Sequence, residues 1–438
     1  MWWVYELLLA IGLIVYLPKA LWRKRLLHRG WRMRLGRYPA SVHESLRGRH
    51  PVWVHAVSVG EVLAARPLID ALGAQASGRM PSGVEAEPLV LSTVTPGGFD
   101  VASQHLGDRG VVIYFPLDLR FCVRRALDAL HPRALILLES ELWPAAMHLT
   151  KARGIPIAIV NGRVSTRTFR RAHWLAPWLG KLLRHVDLFL MQSETDADRI
   201  IQLGAAPERV RVAGSLKWDA SLAARPTSSE IDATARRLGL NSHESIIVGG
   251  STHRGEEAAL LSAFRILRSN QGSTRLILAP RHLERLAEVE RIVREAGLIP
   301  SRLSQVASNA RWDVGLVDTF GQLPCYYGLA SAVFIGGSLI PHGGQNPLEA
   351  ASLGKPIVFG PSMHNFADIA SQLTHYQAAR QLSSAAELTP TLRGLLQDAG
   401  SAHAMGRRAQ ELTERSRGSL QRTLEALQPL LTATSGCA

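Results

Sequence analysis

The sequence predicts an α/β protein built from two doubly wound parallel sheets. Three observations carry this. Short apolar runs rich in Val, Ile and Leu recur along the 438-residue chain. They lack strict polar alternation, as parallel strands covered on both faces should. Stretches of helical spacing, such as residues 120–130, separate them. The rhythm lapses once, over 215–229, where Ala, Arg, Pro, Thr and Ser take over, and then resumes, so the same grammar is used twice.

In the first half the expected strands are 52–57, 89–93, 111–115, 134–138, 155–160, 188–192 and 210–213. In the second they are 246–249, 275–279, 314–317, 332–335 and 356–359. Residues 74–88 (AQASGRMPSGVEAEP) read as a surface loop. The chain beyond about Ala402 has helical spacing and is expected to pack back across the junction. This divides the sequence into an anchor and basic segment at 1–35, a first Rossmann-like domain at 36–220, a second at 221–405, and a helical segment at 406–438.

Composition narrows the function. The chain is 46% hydrophobic and 20% charged, which suits a folded globular protein. Lys and Arg outnumber Asp and Glu by 50 to 36, for a net charge of +14, so an anionic partner is expected. Cys122, Cys325 and Cys437 are scattered, which argues against a disulfide framework or structural zinc. Residues 2–17 are apolar except for Glu6, and Lys19, Arg23, Lys24, Arg25, Arg29, Arg32, Arg34 and Arg37 follow. Charge after the apolar run, not before it, opposes a cleaved leader. It suggests an anchor with the body of the protein on the cytoplasmic side, either spanning or lying in the interface with its cations on anionic lipid. A buried core helix is the alternative. The basic residues cluster at this anchor segment, so nucleic acid is not an expected partner.

The most informative stretch is FIGGSLIPHGGQNPLEAASLGKPIVFGPSMHNF, residues 334–366. An apolar strand ends in a glycine pair. A second pair, Gly343-Gly344, precedes Asn346-Pro347-Leu348-Glu349, which opens a helix. Glycines and a helix start suit phosphate on backbone amides, and Glu349 suits a sugar hydroxyl. An ordinary βαβ turn is the alternative.

Ligands of open parallel sheets sit beyond the carboxyl ends of the strands, so residues there are candidates. In the first half Glu61, just after a strand and Ser58-Val59-Gly60, could be a general base or merely complement the helix dipole. Thr93-Val94-Thr95-Pro96-Gly97-Gly98 and Asn161-Gly162-Arg163 are further strand-end turns. Glu139 and Glu141 share a face if the strand continues. They could hold sugar hydroxyls or steady a cationic transition state, or cap the next helix. Asp196-Ala197-Asp198 has a metal-site spelling but sits at a helix start, where capping explains it. Lys217 at the junction could reach a phosphate or be solvated. In the second half, Gly250-Ser251-Thr252-His253-Arg254-Gly255-Glu256-Glu257 resembles an anion cradle without being a Walker loop. Pro280-Arg281 ends a strand, placing Arg281 for bidentate phosphate binding. Gly321-Gln322-Leu323 is another turn before a helix.

Taken in order, HAVSVGE, ESELWP, GSLKWD, STHRGEE, APRH, GGSLIPHGGQNPLEAA and GPSMHNF resemble the 3-deoxy-D-manno-octulosonic acid (Kdo) transferases of lipopolysaccharide synthesis. The resemblance runs from the N-terminal anchor to about residue 370 and more loosely to the end. It implies the GT-B glycosyltransferase fold, two Rossmann-like domains facing a cleft with an N-terminal anchor helix. It also implies CMP-Kdo as donor, no catalytic metal, and a bisphosphorylated lipid A precursor as acceptor at the anionic cytoplasmic face of the inner membrane. By motif, Glu61 would be the base, and Glu139 and Lys217 transition-state stabilisers. Pro280, Arg281, Gly321, Gln322, Leu323, Asn346, Pro347, Leu348 and Glu349 would bind CMP. Gln322 stands where some relatives carry Glu. A UDP-sugar transferase on a lipid-linked acceptor, or a non-catalytic nucleotide-binding scaffold, are the alternative readings.

Overall fold

The computed structural model describes residue 5 and residues 30–76, 88–139, 141–241, 243–271, 273–306 and 311–432. The expected anchor and most of the 74–88 loop lie outside them. Among the described residues no helix is long and apolar enough to cross a membrane. The chain divides into two units. One runs up to Ala220 and takes the chain again from Gly418 onward; the other is Ser221–Arg417.

The first unit holds β1 (Val52–His55), β2 (Leu89–Thr93), β3 (Gly110–Tyr114), β4 (Ala134–Leu138), β5 (Ile157–Gly162), β6 (Leu188–Met191) and β7 (Val210–Val212). They form one parallel sheet in the order β3-β2-β1-β4-β5-β6-β7. Every residue of β1, β2, β4, β5 and β6 is buried. That double-sided burial is why these runs carry apolar residues on both faces. Fully covering one Leu or Ile contributes about 1.5–3 kcal/mol. The strand order reverses between β1 and β4, which opens a crevice at their carboxyl ends.

The second unit repeats the plan with β8 (Ser245–Thr252), β9 (Thr274–Pro280), β10 (Pro300–Arg302), β11 (Val314–Leu316), β12 (Ala332–Ile335), β13 (Ile357–Phe359) and β14 (Ala379–Gln381). The sheet is again parallel, ordered β10-β11-β9-β8-β12-β13-β14. Its reversal falls between β8 and β12. The outer strands β10 and β14 escape the sequence reading because Pro-Ser-Arg and Ala-Arg-Gln contain no apolar run. Short, polar edge strands discourage pairing with other chains.

Two segments hold more regular structure than their composition announces. The stretch 215–229, read as a linker, contains the Leu216–Ala223 helix and the start of the Ser228–Arg237 helix. Leu216 and Trp218 are buried, and Thr227 with Glu230 makes a reciprocal capping box. The boundary between the two units, Ala220/Ser221, falls within this helical stretch. Beyond 402 there are two helices, not one segment. Ala399–Arg415 belongs to the second unit. There a Cβ on Gly406 would lie 1.9 Å from the Gly354 carbonyl oxygen, so only glycine permits the approach. Ser419–Thr432 belongs to the first unit, where Leu427 and Leu431 join the core with Leu68, Ile69 and Leu216.

Candidate functional site

The crevice of the first unit is furnished by the turns after β1 and β4. After β1 the chain enters the Val59–Ala76 helix, whose first turn carries Glu61. Glu61 folds back on its own turn. Its carboxylate accepts a hydrogen bond from the Val57 N–H at 2.7 Å and one from the Ser58 hydroxyl at 3.2 Å. Burial pushes its pKa up to about 7; the nearby Glu139 and Glu141 add to the rise, while the two donors oppose it. Beneath, His55 is fully buried, its Nδ1 against the Ser92 carbonyl and hydroxyl and its ring stacked on Phe115 at 3.8 Å. Burial holds it down at about 3, so it stays neutral and serves the core.

Glu139 follows β4 in the left-handed region, φ 57°, with its N–H donating to the Val160 carbonyl. Such a conformation is uncommon for a residue with a side chain and costs of order 1 kcal/mol. Its carboxylate pairs with the Lys217 ammonium at 2.9 Å, both side chains more than two-thirds buried. Lys217 lies in the first turn of the Leu216–Ala223 helix, and that helix is placed by Asn161. Asn161, also left-handed at φ 57°, accepts the Leu216 N–H on its side-chain oxygen at 3.0 Å. Asp219, on the same helix, accepts the N–H groups of Gly418 and Leu420. Glu141 is raised by burial first and by Glu139 second. The unit therefore gathers Glu61, Glu139, Glu141 and Lys217, three carboxylates and one cation, around the point where strand order reverses.

In the second unit the first glycine pair does not keep its amides for a ligand. Glu256, 1% exposed, accepts four backbone N–H groups: His253 at 2.9 Å, Gly337 at 2.7 Å, Ser338 at 2.9 Å and Leu339 at 3.0 Å. The N–H groups of Gly344 and Gln345 return to the carbonyls of Gly337 and Gly336. The Gly343 N–H goes to the Ser362 hydroxyl and the Leu348 N–H to the Asn346 side chain. Phosphate on these particular amides is corrected, since each is taken by Glu256 or within the loop; the Glu349 and Ala350 N–H groups of the first helical turn are not among them. Glu257, the neighbour of Glu256, is equally buried and takes a two-pronged contact from Arg285, at 2.9 and 3.4 Å. Both acids of the STHRGEE motif are structural here.

The carboxyl edge also presents side-chain chemistry. Pro280 closes β9, and Arg281 follows with an exposed side chain and its N–H on the Thr252 carbonyl. Its charge acts on Glu349, which lies in the Leu348–Ser352 helix. Burial raises Glu349 to about 6, against a hydrogen bond from Asn346 and the pull of Arg281. Arg281, Asn346 and Glu349 are thus brought together. Gly321 has φ 80°, and Gln322 caps the Leu323–Leu329 helix while its side-chain oxygen accepts from the Tyr326 hydroxyl at 3.0 Å. Gln322 is therefore tethered by its side chain to its own helix. In Asp196-Ala197-Asp198, Asp196 lies in the first turn of a helix that Ser193 caps; it is buried and its carboxylate accepts from the Val164 N–H and the Ser193 hydroxyl.

The signature described as "3-Deoxy-D-manno-octulosonic-acid transferase (kdotransferase)" matches residues 29–220. A 3-deoxy-D-manno-octulosonic acid transferase of Bordetella pertussis is 33% identical, covering 87% of each chain, and one of Haemophilus influenzae is 30% identical, again covering 87% of each. The chain belongs to the Kdo transferase family. It is a glycosyltransferase. The solved UDP-GlcNAc 2-epimerase of Neisseria meningitidis, 11% identical, covers 86% of this chain and all of its own with a TM-score of 0.59, which agrees with the GT-B architecture.

Within this Kdo transferase, several residues that shape the site were not legible as such. Asn161 was read as a turn residue, yet its side chain caps the helix that presents Lys217. The Asn-Gly pair after a strand was the only signal. Asp118, 3% exposed, accepts the N–H groups of Ala145 and Ala146 and so fixes the start of the Pro144–Ala152 helix after ESELWP. Asn365 of GPSMHNF donates its N–H to the Gly343 carbonyl and its side-chain amide to the His342 carbonyl. The motif braces the second glycine pair.

Proposed function

We propose that the protein transfers Kdo from CMP-Kdo to the lipid A precursor by direct, inverting displacement without a catalytic metal. The observation that carries the reading is Glu61. A carboxyl held near neutrality at the strand-order reversal, on a sheet of this family, is matched to taking a proton at physiological pH. Glu61 removes the proton of a glucosamine hydroxyl as that oxygen attacks the anomeric carbon of Kdo. The bond from that carbon to the CMP phosphate breaks, and CMP departs with the electron pair. Positive charge developing on the sugar favours a nearby carboxylate, the role proposed for Glu139, whose position Lys217 holds through the ion pair at 2.9 Å.

On the second unit, Pro280, Arg281, Gly321, Gln322, Leu323 and Asn346 to Glu349 are the proposed nucleotide contacts. Arg281 meets the leaving phosphate, and a fixed donor of this kind contributes about 3–4 kcal/mol to such a step. Glu349 and Asn346 suit the ribose hydroxyls. The net charge of +14 suits an acceptor with two phosphates at the anionic cytoplasmic surface of the inner membrane. The test is incubation of the full chain with CMP-Kdo and the tetra-acylated precursor, with and without EDTA, read by mass spectrometry of the lipid. Kdo addition in both arms is expected. A lipid mass unchanged under all conditions, or transfer from a UDP-sugar instead, overturns the reading.

A further inference from the structure

An acidic-sugar nucleotide brings two negative charges, one on its phosphate and one on the sugar's carboxylate. The amides of Gly337 to Leu339 cannot meet either, because Glu256 already holds them. Nor does the five-residue Leu348–Ser352 helix offer its Leu348 N–H, which Asn346 takes. Side-chain donors are the other resource, and the second unit concentrates them in one place.

The three central strands β9, β8 and β12 each deliver an imidazole to the carboxyl edge. His253 follows β8, His282 follows β9, and His342 lies in the loop after β12. His253 is 7% exposed and forms the platform. The exposed His342 ring packs on it at 4.0 Å between centroids, and His282 meets it edge-on at 5.7 Å. The platform is fixed twice: its backbone N–H is on Glu256, and its Nε2 lies 3.1 Å from the Gln345 side-chain nitrogen. Gly337, at φ 68°, passes so close that an added Cβ would sit 3.4 Å from both the His253 and His342 rings. His342 is held from its other side by the Asn365 amide on its carbonyl, 3.1 Å. Burial, then His342, His282, Arg281 and Arg285, keep His253 down at about 4, so near pH 7 the platform ring is neutral. Among the described residues, the His342 ring itself makes no hydrogen bond.

We propose that His342, seated on the His253 ring beside His282 and Arg281, is the group that binds the carboxylate of the donor's acidic sugar and so separates that donor from the bare nucleotide. The inference rests on the donor reading above and deepens it. Arg281 then answers the phosphate, and the imidazole edge answers the second anion.

The test compares the KM for CMP-Kdo with the inhibition constant of CMP, in the full chain and in two variants. His342→Phe keeps a ring on His253 but removes the N–H; His342→Gln keeps a polar donor of different reach. In His342→Phe the KM for CMP-Kdo is expected to rise tenfold or more while the constant for CMP stays within twofold, with His342→Gln between the two. Constants that move together, or that both stay put, overturn the inference, since His342 would then serve the nucleotide or the fold. Failure of the unaltered protein to use CMP-Kdo while binding CMP is a different result: it removes the donor reading and this inference with it.

Discussion

Replacing Glu61 by Gln tests whether the chain stores free energy at its base. The unfolded carboxyl titrates near 4.5 and the folded one near 7. A folded pKa raised above the unfolded value means the ionised form is disfavoured by folding. The contribution of Glu61 to stability is therefore fully present below about 4.5 and is lost as pH rises through 7. A displacement of this size corresponds to about 3 kcal/mol at high pH. At pH 5 less than about 1 kcal/mol of it has developed. Gln cannot ionise, and its carbonyl can still accept the Val57 N–H, so the variant avoids most of the cost. Allowing for residual solvent access, Glu61→Gln is expected to be stabilised by roughly 2 kcal/mol at pH 8.5, a rise of about 4–8 °C in Tm for a unit of this size. At pH 5 the two proteins should melt within about 2 °C of each other. Scanning calorimetry at the two pH values reads this directly, and the same variant should have lost transfer. A Tm difference that does not depend on pH would refute the raised pKa, and with it the case for Glu61 as a base tuned to neutrality.

Three further outcomes follow from particular contacts. Lys217→Met leaves the Glu139 carboxylate unpaired beside Glu61, so the pH midpoint of kcat/KM should move upward by about half a unit or more; an unmoved midpoint would separate the pair from the base. Glu256→Ala strands four N–H groups around a buried site, at about 1–3 kcal/mol each. Loss of more than about 4 kcal/mol in urea unfolding is expected, with loss of CMP binding. Gly250→Ala puts a Cβ 1.8 Å from the Tyr327 hydroxyl oxygen and should cost about 2–3 kcal/mol. Combining it with Tyr327→Phe should recover part of that loss, because the nearest clashing atom is gone.

The sequence carried the sheets well and the local chemistry less well, and the reason is physical. Strands such as β4 and β12 are short enough to be wholly apolar and are buried on both faces, so burial writes itself into composition. β10 and β14 pair at the margins, where hydrogen bonding alone makes the strand and any side chain is tolerated. The position of Glu61 was legible because a strand and a helix start bracket it. The fate of the glycine-loop amides was not, because the acid that takes them lies about eighty residues earlier in the chain. Nor was the partnership of Glu139 with Lys217, which depends on the Asn161 cap and on two left-handed residues that no composition announces.

The two sheets solve the same problem with opposite results. Each has a turn at its strand-order reversal, and each ties that turn with a glutamate near the start of the following helix. A carboxylate offers about four lone-pair sites. Glu256 fills them with four backbone N–H groups and has none left for chemistry. Glu61 receives one N–H and one hydroxyl, the latter long at 3.2 Å, and faces two further carboxylates. Its remaining lone pairs meet no protein donor among the described residues. Donor count, more than position on the fold, thus separates the glutamate that builds from the glutamate that reacts. Supplying Glu61 with a second backbone N–H would be expected to lower its pKa and its value as a base together.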